Sequence, residues 1–104
     1  MVNIRIERVD SEIKSITISG HANSDRIGHD LVCAEMSAIG VGTLNAIDEM
    51  CPDSCLVEMK KGYINIQVNR SSDRLQTILN MLEIQLLTVE YTNKDYVTVR
   101  KVEV

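Results

Sequence analysis

Residues 55–68 have the sequence CLVEMKKGYINIQV, which predicts a β-hairpin in the middle of the chain. Apolar residues recur at every second position on both sides of the turn Lys61-Gly62, as expected for two paired, half-buried strands. These residues are Cys55, Val57 and Met59 before the turn and Ile64, Ile66 and Val68 after it. The hairpin separates two helical segments, so strands and helices should be mixed in one fold.

The N-terminal segment has the same period-two pattern and predicts a first hairpin. Its two strands are separated by the polar turn Asp10-Ser11-Glu12. The apolar positions are Val2, Ile4 and Ile6 on the first strand and Ile16 and Ile18 on the second. A last strand is expected from Tyr96 to Val104.

A first helix is expected from about 31 to 50, because apolar residues recur there at helical spacing and Pro52 follows. Asp30 stands where an N-cap acceptor is wanted. Gly40 and Gly42 lie inside this helix at a propensity cost of roughly 1 kcal/mol each. We expect another backbone to approach closely at these glycines.

A second helix is expected from about 73 to 91, capped by Ser71 or Ser72. It has more apolar surface than one sheet face needs. The additional residues are Met81, Ile84 and Leu87. A dimer that covers them is a reasonable hypothesis.

The order ββαββαβ predicts an α+β fold in which a mainly antiparallel sheet of about five strands packs against two helices as a two-layer sandwich. A chain of 104 residues is enough for one compact domain. We therefore expect residues 1–104 to form a single domain.

Composition argues against several functions. The net charge of -4 and the absence of Phe and Trp are unfavourable for direct nucleic-acid binding. The alternating N-terminus is unlike a signal peptide, and no stretch approaches the ~20 apolar residues that span a bilayer. We expect a cytoplasmic protein without a membrane partner, whose three cysteines are thiols or metal ligands.

The predicted first turn of the first helix contains Cys33, where the positive end of the helix dipole would favour a thiolate. A cysteine nucleophile also needs a base. His21 lies in the polar segment from Ser19 to Asp30, which is predicted to be a loop, and His29 is a competing base. From position alone, ordinary packing of Cys33 is the more frequent case.

Two other cysteines, Cys51 and Cys55, have a spacing within the loose range of a zinc half-site. No second half-site follows, so zinc would have to recruit His21, His29 or Cys33. Buried or incidental thiols are the better interpretation. Lys60 and Lys61 are interpreted as solvated turn charges.

A longer pattern contains both Cys33 and His21. Gly20-His21-Ala22, Gly28, Asp30, Val32-Cys33-Ala34 and Ser37 resemble the signature G-H-A…G-x-D-x-V-C-A-x-x-S of the ribosomal-processing cysteine protease family Prp. The similarity extends in length and predicted element order over essentially the whole chain.

The resemblance implies a cysteine endopeptidase with His21 and Cys33 as its catalytic dyad and no cofactor or metal. Its substrate would be a large-subunit ribosomal protein precursor with an N-terminal extension. The resemblance also implies a homodimer and a mobile loop, bounded here by Gly20 and Gly28, over the active site. Backbone N–H groups at the helix start, including that of Cys33, would hold the oxyanion.

Two residues of the pattern have alternative roles. Asp30 is either a helix cap or a group that orients His21, and the cap is preferred. Ser37 either lines the site or only packs. Two other functions are also considered for the whole chain: a non-catalytic module that binds a ribosomal protein, and a small metal-binding domain.

Overall fold

The computed structural model describes residues 1–20 and 27–104, and side chains for 1–20 and 31–104. These residues form five strands and two helices. In chain order they are β1 Val2–Val9, β2 Glu12–Ser19, α1 Ile27–Met50, β3 Cys55–Lys60, β4 Tyr63–Val68, α2 Asp73–Thr92 and β5 Val97–Glu103. The predicted α+β fold with element order ββαββαβ is confirmed.

The sheet has the strand order β3-β4-β2-β1-β5. Only β1 and β5 are parallel, so the prediction of a mainly antiparallel sheet is confirmed. The register aligns isoleucines across the three central strands, and both helices contribute to the same buried cluster. One row is Ile4, Ile18 and Ile64, and the next is Ile6, Ile16 and Ile66.

Helix α2 closely follows its prediction. Ser72 is the N-cap, and its hydroxyl oxygen accepts a hydrogen bond of 3.1 Å from the N–H of Leu75. The buried stripe consists of Leu75, Leu79, Leu82, Leu86 and Val89. Of the apolar residues off this stripe, Met81 and Ile84 remain 59% and 63% exposed.

The predicted start of α1 is wrong. The helix begins at Ile27 and not at about residue 31. Asp30 is therefore the fourth residue of α1 and not its N-cap, and Gly28 lies in the first turn and not at the end of a loop. Local cap signals are worth only about 1 kcal/mol, so other interactions can move a helix end by a turn.

The two glycines within α1 differ from the prediction. A Cβ on Gly40 would lie 2.7 Å from Cδ1 of Ile64, so a side chain, and not a backbone, comes close there. At Gly42 nothing lies within 4 Å. Gly40 thus lets α1 sit directly on β4.

The segment Leu31–Met50 of α1 is long and apolar enough to cross a membrane by length and composition, contrary to expectation. A core helix of a soluble protein passes the same test. Val32, Met36 and Ile47 of this helix are buried in the core of the domain. In all, 28% of the apolar window is buried.

Candidate active site

A cleft of about 380 Å³ lies between the N-terminal half of α1 and the turn that joins β3 and β4. From α1 it is lined by Cys33, Met36, Ser37 and Val41. Its other walls come from Val2 of β1, from the end of β2 and from the β3–β4 hairpin. Cys33 is half-buried and packs against the edge of the core, so the cleft gives its thiol a route to a ligand.

The position of Cys33 in its helix corrects one part of the predicted chemistry. Because α1 begins at Ile27, Cys33 is its seventh residue and lies in the second turn. The dipole effect falls off within the first turn, and an N–H in the second turn bonds the carbonyl four residues before it. Cys33 therefore lies beyond the predicted reach of the helix dipole, and its N–H is not free to hold an oxyanion.

Gly20, at the end of β2, lines the same cleft as Cys33. Its φ of 130° lies in a region that favours glycine, and a Cβ at this position would overlap the carbonyl oxygen of Met1. Its N–H donates a hydrogen bond of 3.0 Å to the carbonyl of Gly62 in the β3–β4 turn. This close packing anchors the chain immediately before His21.

We expect Gly20→Ala to lower the free energy of unfolding by about 1–3 kcal/mol, because it combines backbone strain with a clash. Gly42→Ala is the matched control, since its Cβ would meet nothing within 4 Å and should stabilise the exposed helix by roughly 1 kcal/mol. Urea unfolding of both variants measures the difference. Equal stability of Gly20→Ala and the parent protein would contradict the packing described here.

The structure describes the remaining residues of the predicted site to different extents. Ser37 lines the cleft one turn after Cys33, and is exposed. His21 lies outside the described residues. Gly28, His29 and Asp30 belong to α1 by their backbone, and their side chains lie outside the described ones.

The β3–β4 hairpin contributes a wall that the sequence interpretation missed. Met59, Lys60, Lys61 and Tyr63 line the cleft, although the two lysines were predicted to be ordinary turn charges. The Lys60 ammonium lies 5.1 Å from the centre of the Tyr63 ring and 4.0 Å from a Glu58 carboxylate oxygen. The hairpin itself is predictable from the sequence, but its position across from α1 depends on how the helix packs on the sheet.

Cys51 and Cys55 lie outside this cleft. Burial raises the pKa of the Cys55 thiol, opposed by a hydrogen bond from Ser54. The Ser54 hydroxyl has a single proton, which it shares between Cys55 Sγ at 3.7 Å and the carbonyl oxygen of Cys51 at 2.6 Å. Within the described part of the chain, no group of three or more His, Cys, Asp or Glu residues is arranged to hold a metal ion.

The chain is similar in sequence to known proteins of one family. The model of the family described as cysteine protease Prp matches residues 1–98. The ribosomal processing cysteine protease Prp of Bacillus subtilis is 30% identical over 103 residues, which cover 91% of this chain and 92% of that protein. The protein of the same name from Staphylococcus aureus strain Mu50 is 30% identical over 84 residues, covering 78% of this chain and 79% of that protein.

The fold also matches a solved structure. A crystal structure of an essential ribosomal processing protease Prp from S. aureus in complex with a substrate peptide has a TM-score of 0.88 and 25% identity. The match covers 97% of this chain and 99% of that chain.

Proposed function

Because this chain belongs to the cysteine protease Prp family, we propose that it removes the N-terminal extension of a large-subunit ribosomal protein precursor. Cys33 is the nucleophile and His21 is the base in this proposal. The names of the relatives support ribosomal processing, and the substrate peptide bound to the S. aureus protein supports a peptide ligand.

The assignment of Cys33 and His21 as a dyad rests on one observation. Gly20 directly follows β2 and Cys33 lies in α1, yet both line one cleft. His21 is bonded directly to Gly20, and consecutive Cα atoms are about 3.8 Å apart. The place of Gly20 in this cleft, directly before His21 in the chain, supports the proposed dyad.

The proposed reaction is acyl transfer to sulfur. His21 takes the proton of the thiol as Cys33 Sγ attacks the scissile carbonyl carbon, and then gives that proton to the leaving amine as the C–N bond breaks. A thioester remains. Water attacks it while His21 accepts a proton, and the C–S bond breaks to release the carboxyl group and restore the thiol.

Two further residues are assigned supporting roles. We propose that Asp30, the fourth residue of α1 and not its N-cap, orients His21. Ser37 lies one turn after Cys33 and lines the cleft, so its hydroxyl can donate a hydrogen bond to bound substrate. It is a neutral donor for an oxyanion that the Cys33 N–H cannot serve.

The direct test mixes the purified protein with the organism's own precursor ribosomal protein and follows the mass of that precursor. We expect one shortened product that lacks residues from the N-terminus. An intact precursor after prolonged incubation would overturn the proposed substrate. The same mass identifies the cut bond.

Alkylation separates a protease from a module that only binds ribosomal protein. We expect iodoacetamide at neutral pH to label Cys33 faster than Cys51 and Cys55. Burial raises the pKa of Cys55, so less thiolate exists there at neutral pH and its labelling should accelerate as the pH increases. Equal labelling of all three cysteines would favour the binding module.

We also propose that the protein acts in the cytoplasm and as a homodimer. Three free cysteines fit a reducing compartment. The exposed Met81 and Ile84 on α2 supply apolar surface that a second copy could cover. A solution mass of one chain at micromolar concentration would contradict the dimer.

A further inference from the structure

Strand β3 is an edge of the sheet, with β4 as its only neighbour among the described strands. Its residues from Leu56 to Lys60 are all exposed. An exposed edge presents unpaired backbone donors and acceptors, to which an extended peptide can add as another strand.

The pairing of β3 with β4 indicates which backbone groups are unpaired. Asn69 N–H donates to the carbonyl of Ser54 over 2.8 Å, and the two-residue turn closes at the pair Lys60 and Tyr63. Bonded pairs alternate with non-bonded pairs in an antiparallel ladder, so every second β3 residue bonds β4. Val57 and Met59 alternate with the β3 residues that bond β4. Their N–H and C=O groups therefore point to the free edge.

The free edge continues into the cleft that contains Cys33. Met59 lines this cleft, as does Val41 of α1. Val57 and Met59 pair with Ile66 and Ile64, so their side chains lie on the helix-covered face of the sheet, yet they are 47% and 57% exposed. The apolar side chains and the unpaired backbone groups of β3 therefore both extend toward the Cys33 thiol.

We propose that the substrate binds as an added β-strand on the free edge of β3, and that this pairing places its scissile bond in the Cys33 cleft. The occupant is an extended peptide segment with apolar side chains at alternate positions, which pack on Val57 and Met59. This inference rests on the proposed protease function. It assigns substrate recognition to backbone pairing with apolar side-chain contacts, a mode in which main-chain hydrogen bonds supply affinity.

The first test is Val57→Pro, which removes an outward N–H without removing a β3–β4 hydrogen bond. We expect kcat/KM for a precursor peptide to fall about tenfold, the size of one lost backbone hydrogen bond. Val57→Thr keeps the N–H and the branched shape, so it should lose less. Labelling of Cys33 by iodoacetamide should stay at the parent rate in both variants.

The second test keeps the parent protein and methylates one backbone nitrogen of the peptide at a time, so it does not depend on a variant that folds. We expect cleavage to fall at every second position beside the cut bond. Uniform effects, or full activity of a well-folded Val57→Pro, would overturn strand addition while leaving the protease assignment intact. A parent protein that cleaves no precursor would instead overturn the proposed function.

Discussion

Replacement of Cys33 by alanine is expected to reduce cleavage of the precursor at least about 10⁴-fold, because removal of a catalytic nucleophile leaves only binding and electrostatic effects. The fold should persist. Cys33 is half-buried at the margin of the core, and loss of its sulfur should cost roughly 1 kcal/mol. Precursor mass measures the activity, and urea unfolding measures the stability.

Cys51→Ala and Cys55→Ala are matched controls for this result. Both residues are half-buried thiols outside the Cys33 cleft, so each variant should cleave at close to the parent rate. Cys33→Ser should be almost inactive, since a hydroxyl of high pKa is a poor replacement for a thiol. A well-folded Cys33→Ala protein that still cleaves would remove Cys33 from the mechanism.

The second large effect is expected for His21→Ala, which should lower kcat by about 10²–10⁴-fold through loss of the general base. Added imidazole should restore part of the activity, because a small base can occupy the space left by the side chain. A role in folding alone would not produce this rescue. The measurement is the cleavage rate with and without imidazole at pH 7.

His29→Ala is the matched control for the base. His29 lies four positions before Cys33 in α1 and is the other histidine in the sequence. We expect its variant to cleave near the parent rate. If His29→Ala is inactive and His21→Ala is active, the base is His29.

Most of the fold could be predicted because its strands and helices have clear periodicity. The period-two runs around Lys61-Gly62 predicted the hairpin, and β3 and β4 pair across that turn. The sequence predicts Ser71 or Ser72 as the N-cap of α2, and in the structure the N-cap is Ser72. In these segments the local secondary-structure preference agrees with the pattern of residues that the fold buries. Tertiary contacts therefore changed little of the predicted structure.

The start of α1 was not predictable in the same way. Asp30 is of a residue type that often caps helices, and the glycine and histidine before it are typical of a loop. The helix nevertheless begins at Ile27. A difference of four residues moves Cys33 from the first turn to the second. It removes the predicted activation of Cys33 by the helix dipole.

The sequence alone determined the order of the strands and helices and the family signature around Cys33. Each of these features depends on residues that are close together in the chain. Only the tertiary structure decided where α1 begins, that Lys60 and Lys61 border the Cys33 cleft and that β3 presents a free edge beside it. These features depend on how distant segments pack, and packing energies of several kcal/mol outweigh the weak local signals from which such positions would have to be inferred.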